Sequence, residues 1–324
     1  MGMRWYVARR VAWAVVATYL ILSLTFGLIV VTPDAQAASV TFQAATSGQD
    51  ADQALQAYRE RTGRDKPVLE RYKNYMTNMA TFNWGWSDTR SQPVLEAIGD
   101  AWPYSVMYGA PSIFFSTLLG LAIGLYSATH QYTLADYLGT FVAFFGLSIP
   151  NFWFGIVLIL VFAVTLDWVP VVFDPGAPVF GWQNAKQLVL PVVTLGTSTI
   201  AGEMRYSRAE ALEYVRAEFV KTARSKGVSE RRILLRHILR PALVPLMTIL
   251  VADMLGLILT ASYLVEFVFG IPGLARLNYQ AIVNQDTALV LGTTMIFVFV
   301  AVIGNLLQDI AYTVLDPRID YGDR

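Results

Sequence analysis

Apolar residues in this chain collect in long, barely interrupted runs, not in the three-and-four spacing of a half-buried helix. A helix crossing a hydrocarbon layer of roughly 30 Å needs about 20 mainly apolar residues. The runs therefore predict six spans: Val11–Val31, Val106–Ala128, Tyr137–Thr165, Leu188–Ile200, Leu243–Leu264 and Leu289–Val314. Leu188–Ile200 is the weakest, because Glu203 and Arg205 follow it closely, so five spans is the fallback. Its polar extension reads as more of the same helix. The expected fold is all-α and integral to a membrane. A first span with its tail occupies 1–32, a water-soluble insertion 33–103, a core of five spans 104–316 and a tail 317–324.

Within the insertion, Thr32 to Asp52 shows little periodicity and reads as loop. Ala51–Arg61 reads as a short helix ending near Gly63, and Pro67–Met79 as another, with Val68, Leu69, Tyr72 and Met76 at helical spacing. Phe82 to Ser87 reads as an aromatic turn. Trp84, Trp86 and Trp102 are expected at headgroup depth, where aromatics accumulate.

Composition agrees with a membrane protein: 55% of the 324 residues are hydrophobic and 15% charged, against about 25% charged in soluble domains. Net charge is zero and says nothing, but its distribution does. Ten of the 24 Lys and Arg lie in 205–240, against four Glu. With the N-terminus inside, behind Arg4, Arg9 and Arg10, six crossings place that loop and both termini in the cytoplasm, as the positive-inside rule requires. Seven Lys and Arg then lie outside in the long insertion, which loops of that length tolerate. A competing reading makes the first span a signal peptide cleaved at Ala35-Gln36-Ala37, but its apolar run is longer than the usual 7–15 residues. There are no cysteines, so thiol chemistry is excluded.

The basic segment is organised. Leu212, Val215, Phe219 and Ala223 form one apolar stripe on a helix. Gly227 allows the left-handed backbone that ends a helix, Ser229 stands at an N-cap position, and Glu230 lies in the first turn of the next helix. Helix–elbow–helix is the expected shape, suited to pushing or being pushed. The plain alternative is a solvated basic loop that sets topology or meets anionic lipid.

Catalysis has no candidate residues. No Gly-x-x-x-x-Gly-Lys-Ser/Thr motif precedes any of the five lysines, no Gly-x-Ser-x-Gly elbow is present, and His130 and His237 lie in separate segments. Asp253 falls mid-span, where a carboxyl lines a polar route or pairs with another helix. Pro111, Pro150, Pro191 and Pro245 are expected to break or bend their spans. Ile271-Pro272-Gly273-Leu274 fits a type II turn, and Glu266 has Arg276 as a possible ion-pair partner.

Lys221-Thr222-Ala223-Arg224-Ser225-Lys226-Gly227, followed by Val228-Ser229-Glu230-Arg231-Arg232 and Arg236-His237, resembles the EAA loop of ABC importer permeases. Ser148-Ile149-Pro150-Asn151-Phe152-Trp153, Leu166-Asp167-Trp168-Val169-Pro170, Phe269-Gly270-Ile271-Pro272-Gly273-Leu274 and Leu315-Asp316-Pro317-Arg318 fit the same likeness. More narrowly the chain is similar to B-type subunits of the oligopeptide, dipeptide and nickel permease family. Lys221-Thr222-Ala223 replaces the nominal Glu-Ala-Ala, Pro241 an expected Asn, and Ala275 an expected Gly, which leaves the subfamily open.

The resemblance implies a type I ABC importer permease fold and several partners. These are a second permease, two ATPase subunits that hold the ATP and magnesium, an extracytoplasmic binding protein and a di- or oligopeptide cargo. It implies no cofactor on this chain and no nucleic-acid partner; its natural surroundings are membrane lipid. ATPase coupling maps to Ala223, Arg224, Lys226, Gly227, Val228, Ser229, Glu230 and Arg231. Asp253 and Asn151 are assigned to the pathway, and Ile271, Pro272 and Gly273 to binding-protein docking. Nickel or another small solute is the alternative cargo. A secondary transporter or channel, with Asp253 as its ion site, is the alternative class.

Overall fold

The computed structural model of the chain describes residues 3–178, 180–243, 246–247 and 262–315. In chain order its helices are α1 (Met3–Val31), α2 (Ala35–Thr46), α3 (Ala51–Thr62), α4 (Val68–Ala80), α5 (Val94–Thr129), α6 (Leu134–Ser148), α7 (Asn151–Leu158), α8 (Trp182–Val215), α9 (Glu218–Ser225), α10 (Glu230–Arg232), α11 (Ser262–Phe269), α12 (Leu274–Val283) and α13 (Thr287–Leu315). α7 and α10 run on as wider π-helical turns over Ile159–Thr165 and Ile233–Leu239. Between α4 and α5, an antiparallel hairpin pairs β1 (Trp86–Ser87) with β2 (Gln92–Pro93).

Among the described residues three stretches are long and apolar enough to cross a membrane: Trp5–Thr46, Val94–Thr129 and Thr287–Leu307. The expected single span Tyr137–Thr165 is instead two helices, α6 and the α7 stretch, bent by 104°. Pro150 is the cause. It denies a backbone donor, and Ile149 before it takes the extended conformation (φ −93°, ψ 128°) that a residue preceding proline prefers. Counted as one span, the bent pair makes four. Leu188–Ile200 lies inside α8, which continues unbroken through Glu203 and Arg205, as its sequence suggests. Leu243–Leu264, Asp253 and Pro245 fall wholly or mostly outside the described residues. Pro111 and Pro191 sit inside continuous helices and break neither.

The chain divides into two compact units. One is built on Arg9–Asp100 and Leu277–Val302. Its first surprise is α2, in a stretch expected as loop. Asp34 caps it, accepting from the backbone N–H groups of Gln36 (3.1 Å) and Ala37 (3.2 Å). The same carboxylate pairs with Arg64 and accepts from the Tyr58 hydroxyl, so α3 is tied to the start of α2. α3 ends as predicted, at Gly63 with φ +66°. On α4, Tyr72 and Tyr75 pack against Phe26 of α1, and the Tyr72 hydroxyl meets Ser23 Oγ at 2.7 Å; Val68 and Leu69, predicted for the same face, are exposed. Trp84 packs inside the protein. It is 5% exposed, stacks on Phe82 and leans on Phe299, whereas Trp86 is open to its surroundings. Asp286, also buried, starts α13 by accepting from Leu289 N, while its other oxygen takes Ser87 Oγ (2.7 Å) and Thr89 N (3.0 Å).

The second unit, built on Ala101–Arg276, is organised around α8. Neighbouring helices meet it through glycines. A Cβ on Gly124 of α5 would lie 2.6 Å from the Met204 carbonyl oxygen, and one on Gly146 of α6 would lie 2.9 Å from that of Thr197. Gly120 and Gly124 form the small-xxx-small spacing that lets membrane helices touch backbone to backbone. Ala143 of α6, Ala201 and Met204 of α8, and Ile123 of α5 fill the remaining gap. Tyr108, Leu158, Leu190, Leu195, Val265 and Phe269 belong to a second apolar cluster in this unit. Phe114, Phe141 and Phe144 stay exposed, which water would penalise and lipid would not.

Candidate functional site at the Gly227 elbow

The basic segment begins as the polar end of α8. Leu212 and Val215 face a small core as expected, but the stripe does not continue on one helix. The chain breaks after Arg216, where Ala217 turns extended (φ −66°, ψ 146°), and α9 starts afresh at Glu218. The break changes which side chain is buried: Val220 is fully enclosed, while Phe219 is 48% exposed. No glycine or proline marks the spot. Burial of Val220 and Ala223 against α8 overrides the local preference for helix.

α9 stops by a complete carboxy-terminal hydrogen-bond pattern. Gly227, at φ +73°, donates to Arg224 O at 2.9 Å, and Val228 N donates to Ala223 O at 3.2 Å. These are the two bonds of a Schellman motif, with Val228 turned back onto the apolar side of α9. A Cβ at Gly227 would meet nothing within 4 Å, so the need for glycine is one of backbone conformation alone. Ser229 takes the N-cap backbone conformation of α10 (φ −62°, ψ 143°), although its side chain makes no cap bond. Across the turn Arg224 forks onto Glu230, Nε to Oε1 at 3.0 Å and Nη2 to Oε2 at 3.2 Å. Both groups are well exposed, so the pair orients side chains more than it stabilises the fold.

One apolar cluster roots this elbow. Val220 and Ala223 of α9 and Ile233 and Ile238 beyond the turn pack with Ala211 of α8 and with Leu125 and Ala128 of α5. The predicted coupling residues divide accordingly. Ala223 is buried and Val228 half-buried, while Arg224, Lys226, Gly227, Ser229, Glu230 and Arg231 form the exposed turn. Phe219 and Leu235, 48% and 50% exposed, add apolar surface beside it. The other assigned residues that are described do not join them. Asn151 opens α7 and donates to Ser198 Oγ at 3.1 Å, and Asp253 lies outside the described residues.

Ile271 and Gly273 are buried and Pro272 half-buried. The glycine with positive φ is Gly270 (71°), so the expected type II turn does not form at Pro272-Gly273. Gly273 is small for another reason: a Cβ there would strike the Glu266 carboxylate and stand 2.6 Å from Ser105 Oγ. Glu266 is fully buried and accepts from Ser105 Oγ (2.7 Å), Tyr108 Oη (2.9 Å) and the backbone N–H of Arg276 (2.8 Å). The Arg276 guanidinium reaches Gly270 O instead of the expected carboxylate.

A polar knot at the base of the elbow has no counterpart among the sequence-based assignments. Arg208 of α8 forks onto Asp136 of α6, at 3.0 and 3.1 Å, and its Nε also reaches Ser127 of α5. The signal was present in Thr133 and Asp136 around an N-cap, where Thr133 Oγ1 accepts from Asp136 N at 3.3 Å.

Residues 120–321 match the family described as binding-protein-dependent transport system inner membrane component. The oligopeptide transport system permease protein AppB of Bacillus subtilis (strain 168) is 34% identical over 278 residues, 85% of this chain and 86% of that one. The dipeptide transport system permease protein DppB of Lactococcus lactis subsp. cremoris (strain MG1363) is 29% identical over 315 residues, 97% of this chain and 98% of that one. A solved inward-facing methionine ABC transporter, MetNI, matches with a TM-score of 0.48 and 17% identity over 69% of this chain and 96% of that one, too loosely to fix detail. With a family match over most of its length and a close likeness to transport permeases along nearly all of it, the chain belongs to the binding-protein-dependent inner-membrane components and is a permease subunit of an ABC importer, not an enzyme.

Proposed function

We propose that this permease imports di- or oligopeptides, and that the Gly227 elbow is the handle by which cytoplasmic ATPase subunits move it. The observation that carries the reading is mechanical. The exposed turn from Arg224 to Arg231 is stopped by two backbone bonds and rooted by one apolar core in both α5 and α8. A displacement applied at the turn therefore reaches two membrane helices without being absorbed in a soft loop. In this reading the chain pairs with a second permease in a type I arrangement of six spans. Both termini and the elbow face the cytoplasm, the 33–103 insertion lies outside, and a binding protein delivers cargo there. ATP binding draws the ATPases together and the elbows with them, opening the pathway outward; hydrolysis returns it. The peptide cargo rests on the relatives named as oligopeptide and dipeptide permeases.

The test is reconstitution of the permease pair, ATPases and binding protein in proteoliposomes. Gly227→Tyr is expected to abolish ATP-driven uptake of a labelled dipeptide while inserting normally into the membrane. Uptake by this chain alone without ATP would overturn the reading. Nickel in place of the peptide serves as the competing cargo in the same vesicles.

A further inference from the structure

We infer that Asp136 and Arg208 form a positioning latch that keeps α6 in register with the elbow during transport, an inference that rests on the function proposed above. The Asp136 carboxylate is 4% exposed as a residue and fully occupied. It takes both arms of the Arg208 fork, at 3.0 and 3.1 Å, the Tyr132 backbone N–H at 3.0 Å, and the Ser127 hydroxyl. Ser127 Oγ in turn accepts from Arg208 Nε at 3.0 Å. One carboxylate thus joins α5, the α5–α6 turn, α6 and α8.

Its place in the chain gives the knot a mechanical meaning. Arg208 lies about two helical turns before the break at Arg216, beside Ala211, which belongs to the elbow core. α5 enters that core through Leu125 and Ala128; α6 contributes no residue to it. α6 meets α8 otherwise through glycine and alanine: Gly139 against Met204 Cε, Gly146 and Ala143 against Thr197 and Ala201. Such faces hold helices close but carry no directional bond, so they allow sliding. A planar guanidinium on a carboxylate does not, because both hydrogen bonds are lost with a small shift. The latch therefore decides whether α6, and the 104° bend that follows it, moves with the elbow or lags behind it.

The experiment uses the assembled importer in proteoliposomes. Removing one partner would leave a buried charge, so the principal variant is the double Asp136→Leu/Arg208→Met, since apolar replacement of a whole buried pair is often neutral for stability. Expected are normal assembly with the ATPases, sustained ATP hydrolysis, and a rise in ATP consumed per peptide imported. Because this chain has no cysteines of its own, Leu138→Cys and Ser225→Cys accept spin labels on α6 and α9 when the chain is labelled before assembly with its partners. Their separation should stay narrow through the ATP cycle in the parent and broaden in the double variant. A purely structural role would lower the yield of complex and leave both readouts unchanged. Arg208→Lys, which keeps the charge but loses the fork, carries the same two measurements if the double variant is poorly recovered. An unchanged ATP-to-peptide ratio with a narrow distance distribution overturns the latch. If Gly227→Tyr still abolishes uptake in that case, the elbow reading survives; if it does not, the elbow reading fails with it.

Discussion

Gly124 offers a sharp test of the packing that positions the elbow. A Cβ there would stand 2.6 Å from Met204 O, 2.7 Å from Ser207 Cβ and 2.9 Å from Arg208 N. Optimal separation for carbon is about 3.5 Å, so Gly124→Ala forces α5 and α8 apart by nearly 1 Å. The atoms in the way are largely backbone and cannot swing aside as a side chain would. Overpacking of this kind costs about 1–3 kcal/mol. Gly99, in the same helix, is the control: it is exposed and a Cβ there meets nothing within 4 Å. Gly99→Ala should stabilise by about 0.5–1 kcal/mol, the ordinary gain of alanine over glycine inside a helix. Thermal unfolding of the purified full-length protein in detergent measures both, at roughly 2–4 °C per kcal/mol for a chain of a few hundred residues. The reasoning is refuted if Gly124→Ala melts at or above the parent temperature, or if the two variants shift in the same direction.

Three further outcomes are expected. Gly227→Val should weaken the α9 stop by about 1–2 kcal/mol through its left-handed backbone, seen as faster hydrogen exchange at the Val228 amide, with Gly227→Asn in between; equal exchange in all three would count against the Schellman stop. Asp286→Ala strands the Ser87 hydroxyl and the Thr89 and Leu289 amides, at a cost of about 1–3 kcal/mol, and should open the β1–β2 hairpin to trypsin at Arg90, whereas an unaltered digestion pattern would remove Asp286 as its anchor. Arg224→Ala should change stability by less than about 0.5 kcal/mol, since the Glu230 pair is exposed, yet reduce ATP-driven uptake; a large drop in melting temperature would give the pair a structural role it lacks here.

Much of the elbow was legible because its chemistry is local. Gly227 had to be left-handed, and the apolar positions around it had to face one way. The break at Arg216–Ala217 was not legible, because alanine and glutamate favour helix and only the burial of Val220 explains the turn. α2 hid in a polar, alanine-rich stretch, although Asp34 was a visible cap. Pro150 announced the bend in the expected span Tyr137–Thr165, but a hydropathy run is blind to direction. Gly120 and Gly124 were read as part of an apolar run, when their spacing of four marked a helix contact. For Trp84 the average tendency of tryptophan at membrane surfaces gave no hint of its packing, in which the ring fills a core beside Gly292 and Phe299.

The kink at Ile149–Pro150 also bears on how the protein is made. α6 and the α7 stretch, Leu134–Ser148 and Asn151–Thr165, have 15 residues each, and at 1.5 Å per residue either reaches only about 22 Å, short of a bilayer core of about 30 Å. Neither half can anchor itself when it leaves the ribosome. Full docking must wait for α8 to be synthesised, because Gly146 of α6 and the Asn151 amide find their partners there. Nascent chains truncated before α8 should therefore leave Leu134–Thr165 open to a water-soluble label, although Trp5–Thr46 and Val94–Thr129 already hold them to the membrane, and those that include α8 should not.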